Sequence, residues 1–199
     1  MWFPERGLHV SWSFWLLILL AAIVSPLTIV LSILLAAALH ECGHLLALRA
    51  FHVPIEGLRL SAFGAVLHAR GAQRLSYGRE LVVTLAGCGM NLVCGVLTAW
   101  FSLHYVWVEG FVFAGAHILL CAFNLLPIPP LDGSSIIVPF LKGKALANYY
   151  RLQQYAMPIL ILVLYLLPMW TGIDVIGRYF DVTVYPLAEW LLNFAIAGI

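Results

Sequence analysis

Three ionisable side chains stand inside the second long apolar run of the sequence, in the order His40-Glu41-Cys42-Gly43-His44. A charge at the centre of an apolar helix costs about 2.5–3.5 kcal/mol on insertion scales. Such groups persist where they are paired, bind a metal or face a wet cavity. On a helix, positions i and i+4 share a face, so His40 and His44 can aim both imidazoles at one ion. Glu41 is turned about 100° from His40, within reach of a water on that ion. This is the zinc hydrolase pattern, in which zinc brings the pKa of its water towards about 7 and a glutamate takes the proton. The alternative for the same residues is a polar cluster that only hydrogen-bonds helices together.

Catalytic zinc takes three protein ligands and a water. Of the aspartates, Asp174 and Asp181 fall in an expected loop on the far side, whereas Asp132 falls in Asn-Leu-Leu-Pro-Ile-Pro-Pro-Leu-Asp-Gly, residues 124–133. Pro127, Pro129 and Pro130 cannot continue a regular helix. Non-helical backbone at membrane depth is tolerated only where protein or a water-filled cavity covers it. Asp132 is therefore expected on a broken helix within a lined site. A kink whose aspartate caps the restarted helix is the alternative, and the two are compatible, because a cap also orients the carboxylate.

Asn124 offers an amide for a developing oxyanion, or merely a bridge between helices. Gly87, Asn91 and Gly95 recur at every fourth position of the third apolar run. That stripe suits close helix packing with one polar contact, and Asn91 is a secondary candidate for lining the site. His9, His52, His68, His104 and His117 have no partner at metal spacing and read as loop, interface or packing residues, with His68 in a segment expected to border the site.

The elements that must position these groups are set by composition. The chain has 199 residues, of which 63% are hydrophobic and 10% charged. A soluble domain carries about 25% charged residues. A mean hydropathy of +1.00 agrees with an integral membrane protein and excludes both a water-soluble globule and a disordered chain. The net charge of +1 gives no reason to expect nucleic acid as a partner. Cys42, Cys88, Cys94 and Cys121 lie in apolar segments, at spacings of neither a CxxC site nor a disulfide framework, and read as small buried thiols. The first apolar run lacks the cleavage site and soluble domain that would make it a signal peptide.

Apolar runs of about 17–25 residues mark spans. They fall at roughly Leu8–Val24, Leu27–Ala50, Leu81–Phe101, Gly110–Leu126, Tyr155–Trp170 and, marginally, Val182–Ile199, which contains Glu189. Between the second and third, the stretch around residues 53–68 alternates apolar and polar positions and predicts one or two short strands. The expected fold is an all-α integral membrane protein of about six transmembrane helices, with a small β-hairpin-like membrane-associated segment after the second helix. It forms one domain over residues 1–199, with its core in 27–141. With the N-terminus in the cytoplasm, Arg6, Arg49, Arg59, Arg70, Arg74, Arg79, Lys142, Lys144 and Arg151 lie on the cytoplasmic side and only Arg178 lies opposite, as the positive-inside rule requires. Trp100, Tyr105, Trp107 and Trp170 then fall near the far interface as aromatic anchors. His44 and Asp132 both come nearer the cytoplasmic face.

The motifs HECGH at 40–44, LAGCGMN at 85–91 and NLLPIPPLDG at 124–133 resemble those of the site-2 proteases, which are intramembrane zinc metalloproteases. The resemblance covers about residues 27–141. It implies His40, His44 and Asp132 as zinc ligands, Glu41 as general base and Asn124 as an aid to the oxyanion or substrate. The family's GPxxN maps onto Gly87 and Asn91, with Cys88 standing where the family has proline. PDZ and CBS domains, common in the family, have no counterpart here. The compact sporulation-type branch is the most similar, and its members cut a membrane-associated sigma-factor precursor on the cytoplasmic side.

The resemblance implies regulated intramembrane proteolysis in a bacterial cell membrane, with the active site towards the cytoplasm. Its implied partners are a membrane-embedded or membrane-tethered protein substrate, such as a sigma-factor precursor or an anti-sigma factor, the lipid bilayer, and an inhibitory membrane partner. The substrate would become extended by pairing with the strand-like stretch after the second helix. A membrane metal-ion transporter is the rival class, since an intramembrane His/Glu/Asp cluster also marks ion pathways. It would spread its ligands along a path and often show inverted repeats, neither of which is visible. A catalytically inactive scaffold would not need a full set of base and ligands.

Overall fold

The computed structural model describes residues 7–62, 64–71, 75–129, 131–153 and 166–197, with positions 155, 156, 158 and 162. Arg6, Arg74, Pro130 and, within the expected fifth span, positions 157, 159–161 and 163–165 lie outside the described residues.

The chain starts with a short strand, β1 (Gly7–Val10), and a helix, α1 (Trp12–Val24). Ser25 and Pro26 break the chain before α2 (Leu27–Ala50), which carries the HECGH motif near its C-terminal end. Strands β2 (Ile55–Ser61) and β3 (Gly64–Ala69) follow. Next come the long α3 (Tyr77–Tyr105) and α4 (Val108–Asn124). The proline-rich stretch stops α4, and Asp132 opens a short helix, α5 (Asp132–Ile137), continued by a 3-10 turn at Val138–Phe140. The last described helices are α6 (Lys144–Gln153), α7 (Leu167–Thr171) and α8 (Val175–Ala197).

The span boundaries of α2 agree with the sequence reading to the residue, and α3 extends a turn beyond it at each end. Both helices are long and apolar enough to cross a membrane. At 24 and 29 residues they extend about 36 and 43 Å, against a hydrocarbon core of about 30 Å. α1 and α4 are also apolar but shorter, at 13 and 17 residues. The first expected span is thus a correction. Leu8–Val10, read as part of a helix, is extended and pairs with a strand instead.

The sheet has three strands in the order β1-β2-β3. β2 and β3 form the expected antiparallel hairpin, with a bulge between Ile55 and Gly57. β1 adds a parallel strand in register Gly7↔Gly57 to Val10↔Leu60. Parallel pairing draws on residues far apart in sequence, so no turn signal announces it. Ser11 N–H then donates to the Leu60 carbonyl, fixing the start of α1 against the sheet.

The core lies where α2, α3 and α4 pack on one another. Its buried side chains are mostly small, as with Ala36, Gly43, Gly87, Cys88, Gly95, Ala114, Cys121 and Ala122. Large apolar residues face outward instead, among them Leu19 and Ile23 on α1, Leu31 and Leu35 on α2, and Val93 and Leu97 on α3. Apolar exposure this extensive would drive association in water and suits a lipid solvent. Trp100, Tyr105, Trp107 and Trp170 are all exposed, as interfacial anchors must be. The buried-thiol reading holds for Cys88 and Cys121 but not for Cys94, which is half-buried, or for Cys42, which lies exposed on the outer face of α2.

Candidate metal centre

His40 and His44 sit one turn apart on α2 and present their rings edge to face, with centroids 4.7 Å apart. Both aim Nε2 at a single carboxylate oxygen. Asp132 Oδ2 lies 3.0 Å from His40 Nε2 and 3.0 Å from His44 Nε2. The two Nε2 atoms are 3.1 Å from each other. Two elements separated by 92 positions in sequence thus meet at three donor atoms. Among the described residues, this is the group of histidine, cysteine, aspartate and glutamate side chains able to hold a metal ion.

The local sequence explains the meeting. α2 approaches α3 closely because Gly43 faces the Ala86 carbonyl, where a Cβ would collide. On the α3 side, a Cβ at Gly87 would collide with both imidazoles. The glycine stripe of α3, read from sequence as a packing seam, is thus also the space in which the two rings stand. The proline-rich stretch returns the chain towards the bundle through the Leu126 and Leu131 cluster, packed against Phe123, Ile128, Tyr179 and Phe180. Gly133 lies against the Leu125 carbonyl, leaving no room for a side chain. Leu131 N–H donates to the Ile128 carbonyl, and the Tyr149 hydroxyl, 3.0 Å from Ser134 Oγ, donates to it. Ser134 in turn donates to the Leu131 carbonyl. The Asp132 turn is therefore braced from both sides.

Hydrogen-bond directions show what the triangle needs. His44 Nδ1 lies 2.8 Å from the Val83 carbonyl of α3. A carbonyl can only accept, so Nδ1 carries the proton and neutral His44 has a lone pair at Nε2. That lone pair faces a carboxylate oxygen and the second imidazole nitrogen. Such an arrangement requires a proton or a metal cation between the groups. Tetrahedral zinc with bonds of about 2.0–2.1 Å separates its ligand atoms by about 3.3–3.4 Å. The observed separations fall a few tenths of an ångström short, so the donor set fits zinc after a small outward shift. The Val83 contact is also the outer hydrogen bond that metal-ligating histidines ordinarily make.

Glu41 is partly buried and adjoins the triangle closely enough to interact electrostatically with His44, His40 and Asp132. Asn124 is not brought into the triangle. It ends α4, and its Nδ2 donates to the Leu120 carbonyl one turn earlier. His68 stays on β3, paired with Gly57. Asn91 is fully buried and makes a contact its sequence position only hinted at, with Nδ2 donating to His40 Nδ1 at 3.2 Å. His117, read from sequence as a packing residue with no partner at metal spacing, has a polar contact as well. It is fully buried on α4, and its Nδ1 donates to Asn91 Oδ1 at 3.0 Å. No local spacing signals that contact, because it crosses between helices.

Comparison with known proteins points to the same metal. No protein-family profile matches the chain. It is 29% identical over 119 residues to the provisionally named zinc metalloprotease YwhC of Bacillus subtilis, across 55% of this chain and 51% of that one. It is 30% identical over 124 residues to the provisionally named zinc metalloprotease Rip2 of Mycolicibacterium smegmatis, across 59% of this chain and 44% of that one. The chain thus matches about half the length of these curated relatives. Among solved structures, the site-2 protease from Methanocaldococcus jannaschii superposes with a TM-score of 0.65 at 18% identity, across 92% of this chain and 91% of that one. The chain therefore has the site-2 protease fold and is a sequence relative of zinc metalloproteases.

Proposed function

We propose that the chain is an intramembrane zinc metalloprotease that hydrolyses a peptide bond in a membrane-spanning or membrane-associated protein. The observation that supports this most is the convergence of a proton-free His44 Nε2, His40 Nε2 and Asp132 Oδ2 within 3.0–3.1 Å. His40, His44 and Asp132 would hold the ion. Zinc bound there would supply a Lewis acid for the scissile carbonyl and a water acidic enough to be deprotonated near neutral pH. Glu41 takes the proton of the attacking water and passes it to the departing amine nitrogen. Asn124 would offer the oxyanion its second amide N–H, the one beyond its bond to Leu120.

The substrate strand would add to the exposed side of β3, which is an edge of the sheet. We place six spans in a bacterial cell membrane, with the N-terminus and the site towards the cytoplasm, as the distribution of lysine and arginine favours. On this reading the chain is a single protease domain of the sporulation type, acting on a sigma-factor precursor or an anti-sigma factor and open to restraint by a membrane partner. A transporter would string its ligands along a path, whereas these three gather at one point.

The test is cleavage of a tagged, membrane-tethered reporter by the purified chain in proteoliposomes. Zinc-dependent cleavage that disappears in Glu41→Gln while zinc content persists supports the reading. Zinc flux across the same vesicles without any cleavage overturns it.

A further inference from the structure

Beyond the ligand triangle, a hydrogen-bond chain continues through two more helices. His117 on α4 donates from Nδ1 to Asn91 Oδ1, and Asn91 on α3 donates from Nδ2 to His40 Nδ1 on α2. His117 and Asn91 have no exposed surface. Phe113 holds the His117 ring edge to face at 4.5 Å. Gly95 supplies the space, since a Cβ there would stand 3.2 Å from His117 Cβ. Among the described residues, His117 Nε2 is the buried side-chain nitrogen with no hydrogen-bond partner. A histidine is an expensive choice for packing in that position.

We propose that His117 is a positioning residue for the metal ligand His40, acting through the Asn91 amide. The inference rests on the zinc reading above. In the arrangement seen, His40 Nδ1 accepts from Asn91, so neutral His40 carries its proton on Nε2 and donates it to Asp132. That proton occupies the lone pair a metal needs. To ligate through Nε2, His40 must carry its proton on Nδ1 and find an acceptor there. A half-turn of the Asn91 amide provides one, bringing Oδ1 to His40 and Nδ2 to His117. His117 Nδ1 then has to accept, which it does as the Nε2–H tautomer. Neutral imidazole can donate or accept at the same nitrogen, so His117 pairs the amide in both settings. An apolar side chain at 117 would leave one amide atom unpaired in a sealed interior and free Asn91 to turn away from His40.

The test uses the purified full-length chain in detergent, with zinc as the probe and a chromophoric chelator as competitor. His117→Leu is expected to weaken zinc binding by about 10–100-fold, the usual cost of losing an outer partner of a metal-ligating histidine. His117→Gln, whose amide can also donate or accept, is expected to bind close to the wild type. Wild-type affinity in folded His117→Leu overturns the proposal, as does an equal loss in both variants, which would mean that ring packing alone matters. If His117→Leu does not fold, the wild type decides through the 15N shifts of labelled histidine. His117 should be the Nε2–H tautomer with zinc and the Nδ1–H tautomer without it, and one tautomer in both states overturns the role. A wild type that binds no zinc overturns the metalloprotease reading itself, whereas tight wild-type binding with an unaffected His117→Leu overturns only the relay.

Discussion

His44 and Val83 are joined across α2 and α3 by a 2.8 Å hydrogen bond from the imidazole Nδ1 to a backbone carbonyl. The bond fixes the ring plane and leaves Nε2 as a lone pair aimed at Asp132. Because the acceptor belongs to the main chain, no side-chain substitution on α3 removes it directly. The orientation of this ligand depends on the spacing of the two helices.

That spacing is set by Gly43 against the Ala86 backbone, and Gly87 leaves the room in which the two rings stand, so Gly87→Ala is expected to damage the metal centre. The added methyl would collide with both imidazoles. Overpacking of this kind costs about 1–3 kcal/mol. Zinc stoichiometry of the purified variant should fall well below that of the wild type, and thermal unfolding in detergent should begin earlier. Full zinc content in a stable Gly87→Ala protein would show that α3 can move aside freely.

Asp132→Asn keeps the shape of the turn and removes its charge. It replaces a carboxylate oxygen shared by two imidazoles with a neutral amide. Zinc affinity should fall by at least the roughly 10–100-fold seen when outer partners are lost. Chelator competition measures this, with circular dichroism checking that the helices persist.

The histidines and the aspartate were legible in the sequence for a simple physical reason. Charged groups in an apolar run carry a large cost, and the four-residue spacing of His40 and His44 states their common face. Asp132 was legible because prolines forbid a helix before it. The boundaries of α2 follow from Ser25-Pro26 at one end and the polar stretch after Ala50 at the other. What was not legible came from pairing across elements. β1, Gly-Leu-His-Val, runs almost directly into the apolar α1, and only its partner β2 makes it a strand. His117 and Asn91 meet between helices, so neither has a local pattern that names the other. Gly87 was read as a packing residue and proves also to be the space for two rings.

Tyr149→Phe tests the brace on the Asp132 turn. It removes the hydroxyl that donates to Ser134 and leaves the ring in place. A net hydrogen bond contributes about 0.5–1.5 kcal/mol, so the global loss of stability should be small. Zinc affinity should drop by no more than about tenfold, which corresponds to 1.4 kcal/mol. A loss as large as that of Asp132→Asn would mean that α6 governs the ligand rather than steadying it.

Zinc should also stabilise the fold by mass action. At a free concentration about 100 times the dissociation constant, a ligand that binds only the folded state adds about 2.7 kcal/mol. Thermal unfolding of the metal-stripped chain in detergent should shift upward on adding zinc. His44→Ala should show no such shift, because it removes one corner of the triangle.

The most direct measurement is X-ray absorption at the zinc edge of the purified, zinc-loaded chain. Expected is one zinc per chain, with two imidazoles and further oxygen scatterers in a shell at about 2.0–2.1 Å and no sulfur. Sulfur at about 2.3 Å, or a spectrum unchanged in His40→Ala, would place the ion elsewhere and contradict a centre built from His40, His44 and Asp132.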